Sequence, residues 1–497
     1  MERPLVGHQR TLPSITNLLG AEKIKDEVLI SGLTQTSQDV EPGDIFLAFP
    51  GGKVHGASFC AEAIHRGARA VLTDIQGAQI VRGISHGIPV VVVRDPRRSA
   101  GTLDVWFYDE PMRDMYSVGI TGTNGKTTTT TLLHQIWTHA GRESGLIGTV
   151  ETRIGSDFLK SKRTTPESSE LQALAATMRE RHVRNFVMEV SSHAISLERI
   201  RGSHFAAVAF TNLTQDHLDF HGTMEEYFQA KSALFTFEYA ELAFINMDDP
   251  YGVQLAQNVA IPVRTISRQN EKADWNYDFA VRHLRGHDVS IRGLGGILIE
   301  GFLPLHGGYN LDNALMAVAL AYESGVDPVE IAAILPTLMG AQGRMEPVNV
   351  GQDFAAFVDY AHSPDAVSRV LEACKMMTVG KVIAVLGCGG DRDSSKRALM
   401  GMALSNGSDV AIFTSDNPRS EDPAGILEQM VAGLSVGLPD QVVLDRRVAI
   451  WYAVSQALPG DTVVILGKGH ETGQEIAGAV IPFDDRFELA QAIKARS

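Results

Sequence analysis

Cysteine is scarce in this chain: 497 residues hold three, Cys60, Cys374 and Cys388. Three widely spaced thiols cannot make a disulfide framework, and their scarcity fits a reducing, cytoplasmic setting. Long apolar runs are missing as well. No stretch nears the ~18 residues of a membrane span and no basic-plus-apolar leader is present, so neither insertion nor export is expected. Positive charge is outnumbered, with 44 Lys and Arg against 59 Asp and Glu and a formal charge of −15. That balance argues against a nucleic-acid or membrane-surface binder, and an anionic substrate would have to be met by local basic groups. Repeats and low-complexity tracts are absent.

The chain does have a glycine- and threonine-rich turn at 116–131, YSVGITGTNGKTTTTT, around which the rest is organised. Tyr116, Val118 and Ile120 alternate with small or polar residues and predict a short strand. Leu132, Leu133, Ile136, Trp137 and Ala140 follow at helical spacing. Gly122 and Gly125 let the backbone wrap an anion, and the free N–H groups of the helix point at it. Lys126 supplies a cation to the outer phosphates and the Thr127 hydroxyl suits a phosphate-bound Mg²⁺, with Thr123, Asn124 and Thr128 completing the cradle. The usual P-loop spacing wants glycine at 120, where Ile120 stands. A nucleoside triphosphate site is the expectation.

At this length about three domains are expected, here 1–112, 113–342 and 343–497. The first has strand patterns at 44–49 and 90–93, with a helix at 59–67 between them. Residues 109–114, with Pro111, read as a linker. From 117 to about 340 strands (186–190, 206–211, 242–246) alternate with helices, which implies a mostly parallel sheet covered on both faces. The stretch 340–345 reads as a hinge. Beyond it, strands at 355–359, 382–386, 410–414 and 462–466 form a second doubly wound unit. The polar clusters GCGGDRD, TSDNPR and GKGHE follow three of these strands, where such folds bind ligands. The fold class is therefore α/β in three domains.

Glu189 ends an apolar strand in FVMEVSSH, as either a cap for the next helix or a Mg²⁺ ligand. His217 sits among Asp216, Asp219 and His221, as a structural or a metal-binding group. By composition alone, Lys231 reads as a surface lysine.

TGTNGKTTT, MEVSSHA, TNLTQDHLDFHG, YFQAK, GGYNLDNA, GRME, DYAHSPDA, GCGGDRD, DNPR and GKGHE stand in the order seen in Mur ligases, and the resemblance spans nearly the whole chain. It also accounts for Ile120, since that family's loop is TGTNGKTT. The resemblance implies an N-terminal UDP-binding domain, a central ATPase-type domain and a C-terminal amino-acid-binding domain. It implies ATP as co-substrate, two Mg²⁺ ions, and a Lys231 carbamylated by CO₂ into a metal-binding carboxylate near Glu189 and His217. Asn310 and Asn313 match an adenine-side motif, though two Asn at a helix start are otherwise routine. Arg344, Asp359 and His362 match the C-terminal contribution to the nucleotide. Such a site suits amide formation: ATP converts a carboxylate to an acyl phosphate, an amine attacks, and cations offset the charge that gathers.

Thr164, Thr165, Ser191 and Arg199 resemble positions that hold a sugar-dipeptide. Without the resemblance, Thr165-Pro166-Glu167 reads as a helix start with Thr165 as N-cap. Ser37 is retained before the VEPGD turn, but its neighbours are Thr36 and Gln38 where the family often has Asp and Arg. Lys53 is placed on the uridine side. Arg392, Asp416, Asn417, Pro418, Arg419, Gly467 and Glu471 should meet the incoming amino acid, and DNPR is the pattern associated with meso-diaminopimelate. Partners implied are small molecules acting on a cytoplasmic monomer, with no nucleic acid and no membrane. Within the class, a folylpolyglutamate synthetase or another Mur ligase shares the loop. Outside it, a P-loop switch ATPase would leave the C-terminal clusters unexplained.

Overall fold

The strand Tyr116–Thr121 is buried almost throughout, as the middle strand of a doubly covered parallel sheet must be. Gly125, in the left-handed region at φ 89°, hands the chain to the helix Lys126–His139. The computed structural model containing these elements describes residues 2–52, 54–85, 87–283, 286–437 and 440–496.

Eight strands form the central sheet, in the order Asp157–Lys160, Glu151–Ile154, Ser144–Ile147, Asn185–Glu189, Tyr116–Thr121, Ala207–Phe210, Ala243–Asn246 and Val263–Ile266. The first two form an antiparallel hairpin at one edge, its Glu151–Ile154 strand also antiparallel to Ser144–Ile147, and the others pair in parallel. Tyr116–Thr121 therefore lies between strands from two different crossovers, and Glu189 pairs across to Ile120. That is the switch point at which such sheets leave a crevice at their carboxyl ends. On one face Leu132, Leu133, Ile136 and Trp137 pack with Leu315, Val318 and Leu320 from the helix Gly308–Glu323. The other face is covered by Leu171, Leu174, Met178, Tyr227 and Phe228. Each fully buried side chain of this size contributes about 1.5–3 kcal/mol, which fixes both helices at the loop's edge.

The C-terminal sheet runs Glu346–Pro347, Ala355–Asp359, Thr462–Leu466, Val382–Cys388, Val410–Ser415 and Gln441–Val442, with only Glu346–Pro347 antiparallel. Asp359 pairs with Leu466, and Cys388 with Ser415. All four strands thus discharge their polar clusters along one edge. The N-terminal unit is a four-stranded parallel sheet: Gly32–Thr34, Asp44–Leu47, Ala70–Thr73 and Val90–Val92.

Two expectations are corrected, and the linker gains detail. The alternation of strands and helices up to 340 breaks at Asn276–His283, Gly286–Arg292 and Leu298–Leu303, which form an antiparallel sheet. Six of the eight residues of the first of these strands, from Asp278 onward, are exposed, so no helix covers them. The linker at 109–114 is a pinned corner: Pro111 and Met112 are buried, and Arg179 donates to the carbonyls of Tyr108 and Asp109 at 2.9 Å each. The helix after TTPE begins at Ser168 with Glu167 as its N-cap residue. The Thr165 hydroxyl is drawn away instead, donating to the Glu189 carbonyl at 2.9 Å and accepting from the Ser191 N–H at 3.1 Å.

Candidate active site

Close packing shapes the loop. A Cβ at Gly122 would lie 1.9 Å from Thr211 Oγ1, and one at Gly125 would lie 2.4 Å from Asn313 Oδ1. Both sites need glycine for this approach as well as for their positive φ. Asn124 accepts from Thr211 Oγ1 through its carbonyl at 2.6 Å, and its N–H donates to Asn212 Oδ1 at 2.9 Å. Lys126 folds back over the loop, donating to the carbonyls of Gly122 and Thr123 at 2.8 Å each. Burial lowers its pKa, with the Glu189 carboxylate pulling the other way.

Glu189 does not cap the next helix; Ser191 does, accepting from the Ala194 N–H at 3.2 Å. Glu189 is buried, accepting from Thr127 Oγ1 at 3.0 Å, the Thr149 N–H at 2.7 Å and the Thr149 hydroxyl at 3.0 Å. Lys231 is not a surface lysine. It is 1% exposed, donates to the Gly122 carbonyl at 2.9 Å, and lies 4.6 Å from the Tyr227 ring centroid. Burial drives its pKa well below the ordinary lysine value and the nearby Lys126 lowers it further. His217, at φ 55°, stands edge-on to His193 at 4.8 Å and 3.5 Å from Asp216. Among the described residues no three His, Cys, Asp or Glu side chains are grouped to share a metal ion. Thr127 and Glu189 are bonded to each other, Lys231 meets the loop at the Gly122 carbonyl, and His217 pairs with Asp216. A carboxylate grown on Lys231 would add a second anionic oxygen donor to that of Glu189.

A cavity runs from Asn124, Gly125, Thr127 and Thr128 past Asn313 to Tyr309, Arg344 and Asp359. Asn310 and Asn313 stand inside the helix Gly308–Glu323, whose N-cap residue is Gly307. Asn313 accepts from Thr129 Oγ1 at 3.3 Å, while Asn310 donates to the His306 carbonyl at 2.8 Å. Arg344 lies over the Tyr360 ring at 4.6 Å. Its Nε and the Tyr309 hydroxyl are buried without a hydrogen-bond partner among the described residues. Buried donors left open in this way fit a polar ligand such as a nucleotide. Asp359 accepts from the N–H groups of Met345 and Ala361 at 2.6 and 2.7 Å, which shapes the turn after its strand. His362 donates from Nδ1 to the Tyr360 carbonyl at 2.7 Å.

A second cavity spans the two large sheets. Thr164, Asp216, His217 and Asp219 line it from the central domain; Tyr360, His362, Arg392, Asp416, Asn417, Arg419, Gly467 and Glu471 line it from the C-terminal one. Lys396 reaches across to Asp216 at 3.8 Å. Glu471 accepts from Lys468 Nζ at 2.9 Å and from Asn417 Nδ2 at 2.8 Å. Burial works against its ionisation, but these donors keep its pKa below the ordinary range. A Cβ at Gly467 would meet Asp416 Oδ2 at 2.5 Å. Pro418 follows Asn417 in the loop, and Arg419 takes φ 52°. Arg446, fully buried, binds Asp485 at 2.8 and 2.6 Å and also donates to the carbonyls of Leu466 at 2.8 Å and Ser415 at 3.3 Å.

Of the sugar-dipeptide candidates, Thr164 bonds Thr149 at 3.0 Å beside Glu189. Arg199 is ion-paired to Glu167 at 3.0 Å. The Ser37 hydroxyl is committed to Glu62 at 2.6 Å. Lys53 lies outside the described residues. Sequence reasoning missed Lys396, Lys468, Tyr360 and Thr149. Lys468 and Tyr360 stand inside motifs already singled out, GKGHE and DYAHS, while Lys396 and Thr149 carry no local signal.

Family models match three stretches: the Mur ligase middle domain at 120–321, the Mur ligase glutamate ligase domain at 343–469, and the Mur ligase family catalytic domain at 29–98. The UDP-N-acetylmuramoyl-L-alanyl-D-glutamate–2,6-diaminopimelate ligase of Streptomyces coelicolor is 46% identical over 99% of this chain and 98% of its own. The chain belongs to the Mur ligase family. A solved structure of a ligase with the same printed name aligns with a TM-score of 0.68 at 31% identity, covering 98% of this chain and 99% of that one. A Thermotoga maritima MurF ligase in complex with ADP aligns at 0.63 and 18% identity, over 94% of this chain and 98% of its own, a likeness of fold. No helix among the described residues is long and apolar enough to cross a membrane.

Proposed function

We propose that this Mur ligase joins an amine of meso-2,6-diaminopimelate to the D-Glu side-chain carboxylate of UDP-MurNAc-L-Ala-D-Glu, with ATP cleaved to ADP and phosphate, in cytoplasmic peptidoglycan precursor synthesis. The observation that carries the reading is the cavity in which Thr164 and His217 face Arg392, Asn417, Arg419 and Glu471. A dipeptide carboxylate bound beside Thr164, whose partner Thr149 bonds Glu189 and through it Thr127, would face the residues proposed for the amino acid. The domains are taken as 1–112 for UDP-MurNAc, 113–342 for ATP and 343–497 for the amino acid.

The D-Glu carboxylate attacks the γ-phosphorus and the bond to ADP breaks, leaving an acyl phosphate. The amine's lone pair then adds to the acyl carbon, a proton is lost, and the C–O bond to phosphate breaks. Lys126 and the loop N–H groups steady the phosphoryl oxygens as they gather charge. Thr127, Glu189, His217 and an N-carboxylated Lys231 would hold Mg²⁺, which when bound supplies further positive charge there. Arg344, Asp359 and His362 close over the nucleotide from the C-terminal side and keep water from the acyl phosphate. Thr164, Thr165, Ser191 and Arg199 orient the dipeptide end.

Phosphate release with UDP-MurNAc-L-Ala-D-Glu, measured with meso-diaminopimelate, with L-lysine and without an amine, tests this. Release should depend on the amine and be fastest with diaminopimelate. Equal release without any amine would overturn the reading.

A further inference from the structure

Arg419 has a resident anion. Its Nε lies 3.2 Å from Oε2 of Glu475, with the two side chains 23% and 41% exposed. The Arg419 N–H donates to the Glu475 carbonyl at 3.0 Å, and the Arg419 carbonyl accepts from the Ala477 N–H at 2.7 Å. Glu475 stands on the hairpin Gly473–Ile476 and Ala479–Pro482. Its N–H donates to Asn417 Oδ1 at 3.0 Å, the oxygen that also accepts from Lys468 at 2.9 Å. On its other side Arg419 Nη1 donates to the Gly390 carbonyl at 2.6 Å. The guanidinium is therefore aimed, and half neutralised, before any substrate arrives. Arg419 thus keeps an anionic partner even when a substrate brings no carboxylate.

We infer that Glu475 is a specificity-determining residue for the amine substrate, a built-in counter-charge that moderates how strongly Arg419 rejects lysine. This rests on the reading that Arg419 meets the distal end of diaminopimelate. That end carries a carboxylate and an ammonium, net zero, whereas the distal end of lysine carries an ammonium alone. A fixed negative charge close by thus favours lysine relative to diaminopimelate in any pose that seats both in the same pocket. Arg419 acts in the opposite sense, and the pair sets the balance. Because both groups are partly exposed, the effect is a few-fold and is screened by salt.

Glu475→Gln deletes the charge but keeps an oxygen facing Arg419 Nε and leaves the backbone contacts in place. Steady-state kinetics of the full-length enzyme with both amines, at low and high salt, reads out the ratio of kcat/KM for diaminopimelate to that for lysine. Where lysine turnover is too slow, its inhibition constant against diaminopimelate gives the same comparison. The ratio should rise roughly two- to fivefold at low salt, mainly through KM, and less at high salt. A ratio unchanged or lowered by Glu475→Gln overturns the inference, including the case in which both rates fall together because the hairpin has lost an anchor. Arg419→Ala, run alongside, reports separately on the underlying reading: the ratio should collapse, and if it does not, Arg419 is not the selector at all.

Discussion

Lys126 and Lys231 donate to the same oxygen, the carbonyl of Gly122, at 2.8 and 2.9 Å. Two ammonium groups meeting on one acceptor repel each other, and burial removes the water that would screen them. The cost falls on Lys231, whose pKa is held far below its ordinary value. A neutral amine is the form that adds to CO₂. The carbamate so formed would turn a repulsion at the loop into an attraction.

That setting gives opposite expectations for activity and stability. Lys231→Ala should be nearly inactive and should recover some turnover with short carboxylates such as acetate, which can occupy the carbamate's place. Absence of any rescue across a range of carboxylates would count against the modification.

Stability should respond differently in Lys231→Met. Folding sheds the Lys231 proton, since the folded chain holds it less tightly than the unfolded one, so this residue's contribution to stability rises with pH up to about 10.5. In CO₂-free buffer at pH 7, Lys231→Met should melt at or above the wild-type temperature, and the gap should close as pH approaches 10. Calorimetry showing the variant several degrees less stable at pH 7 would mean that the amine is a net stabilising donor.

Lys126→Ala should remain folded and lose activity on the order of 10²–10⁴-fold, the usual effect of removing a group that stabilises developing charge. Circular dichroism together with the phosphate-release assay checks both halves. Near-normal turnover would remove the loop from the chemistry.

Glu189 and Thr127 share a hydrogen bond of 3.0 Å. Glu189→Gln and Thr127→Ala should each raise the Mg²⁺ concentration needed for half-maximal activity before either alters the melting curve. Identical Mg²⁺ titrations for wild type and both variants would return the pair to a purely architectural role.

The Arg446–Asp485 pair is fully buried, so removing one partner strands the other's charge. Asp485→Ala should cost about 3–5 kcal/mol in denaturant unfolding of the C-terminal domain. The KM for the amine should rise in the fraction that stays folded. A loss under 1 kcal/mol would show that water reaches the site.

Most of the α/β scaffold was legible because apolar runs end abruptly in polar clusters. The strands Ala355–Asp359 and Thr462–Leu466 fall where the pattern placed them. Lys231 was misread from composition because Glu225, Glu226 and Gln229 around it are polar, while its burial comes from the P-loop folding over it, a contact between distant segments. Thr165 was misassigned for a related reason: a hydroxyl beside a helix start has local uses, and the end of the Glu189 strand outcompeted them. The Arg419–Glu475 contact had no local signal, since it depends on a hairpin folding back onto the loop. The antiparallel strands beginning at Asn276 were hidden because six of the eight residues of the first face solvent, leaving it no apolar stripe.

Arg446 grips the last carbonyls of two strands, at Ser415 and Leu466, that flank the strand Val382–Cys388, with one planar group. The loop 416–419 and Gly467 begin immediately beyond those carbonyls. One buried guanidinium, held in turn by Asp485, thus ties the starts of both loops together across the strand between them, as a tie-bar joins two posts.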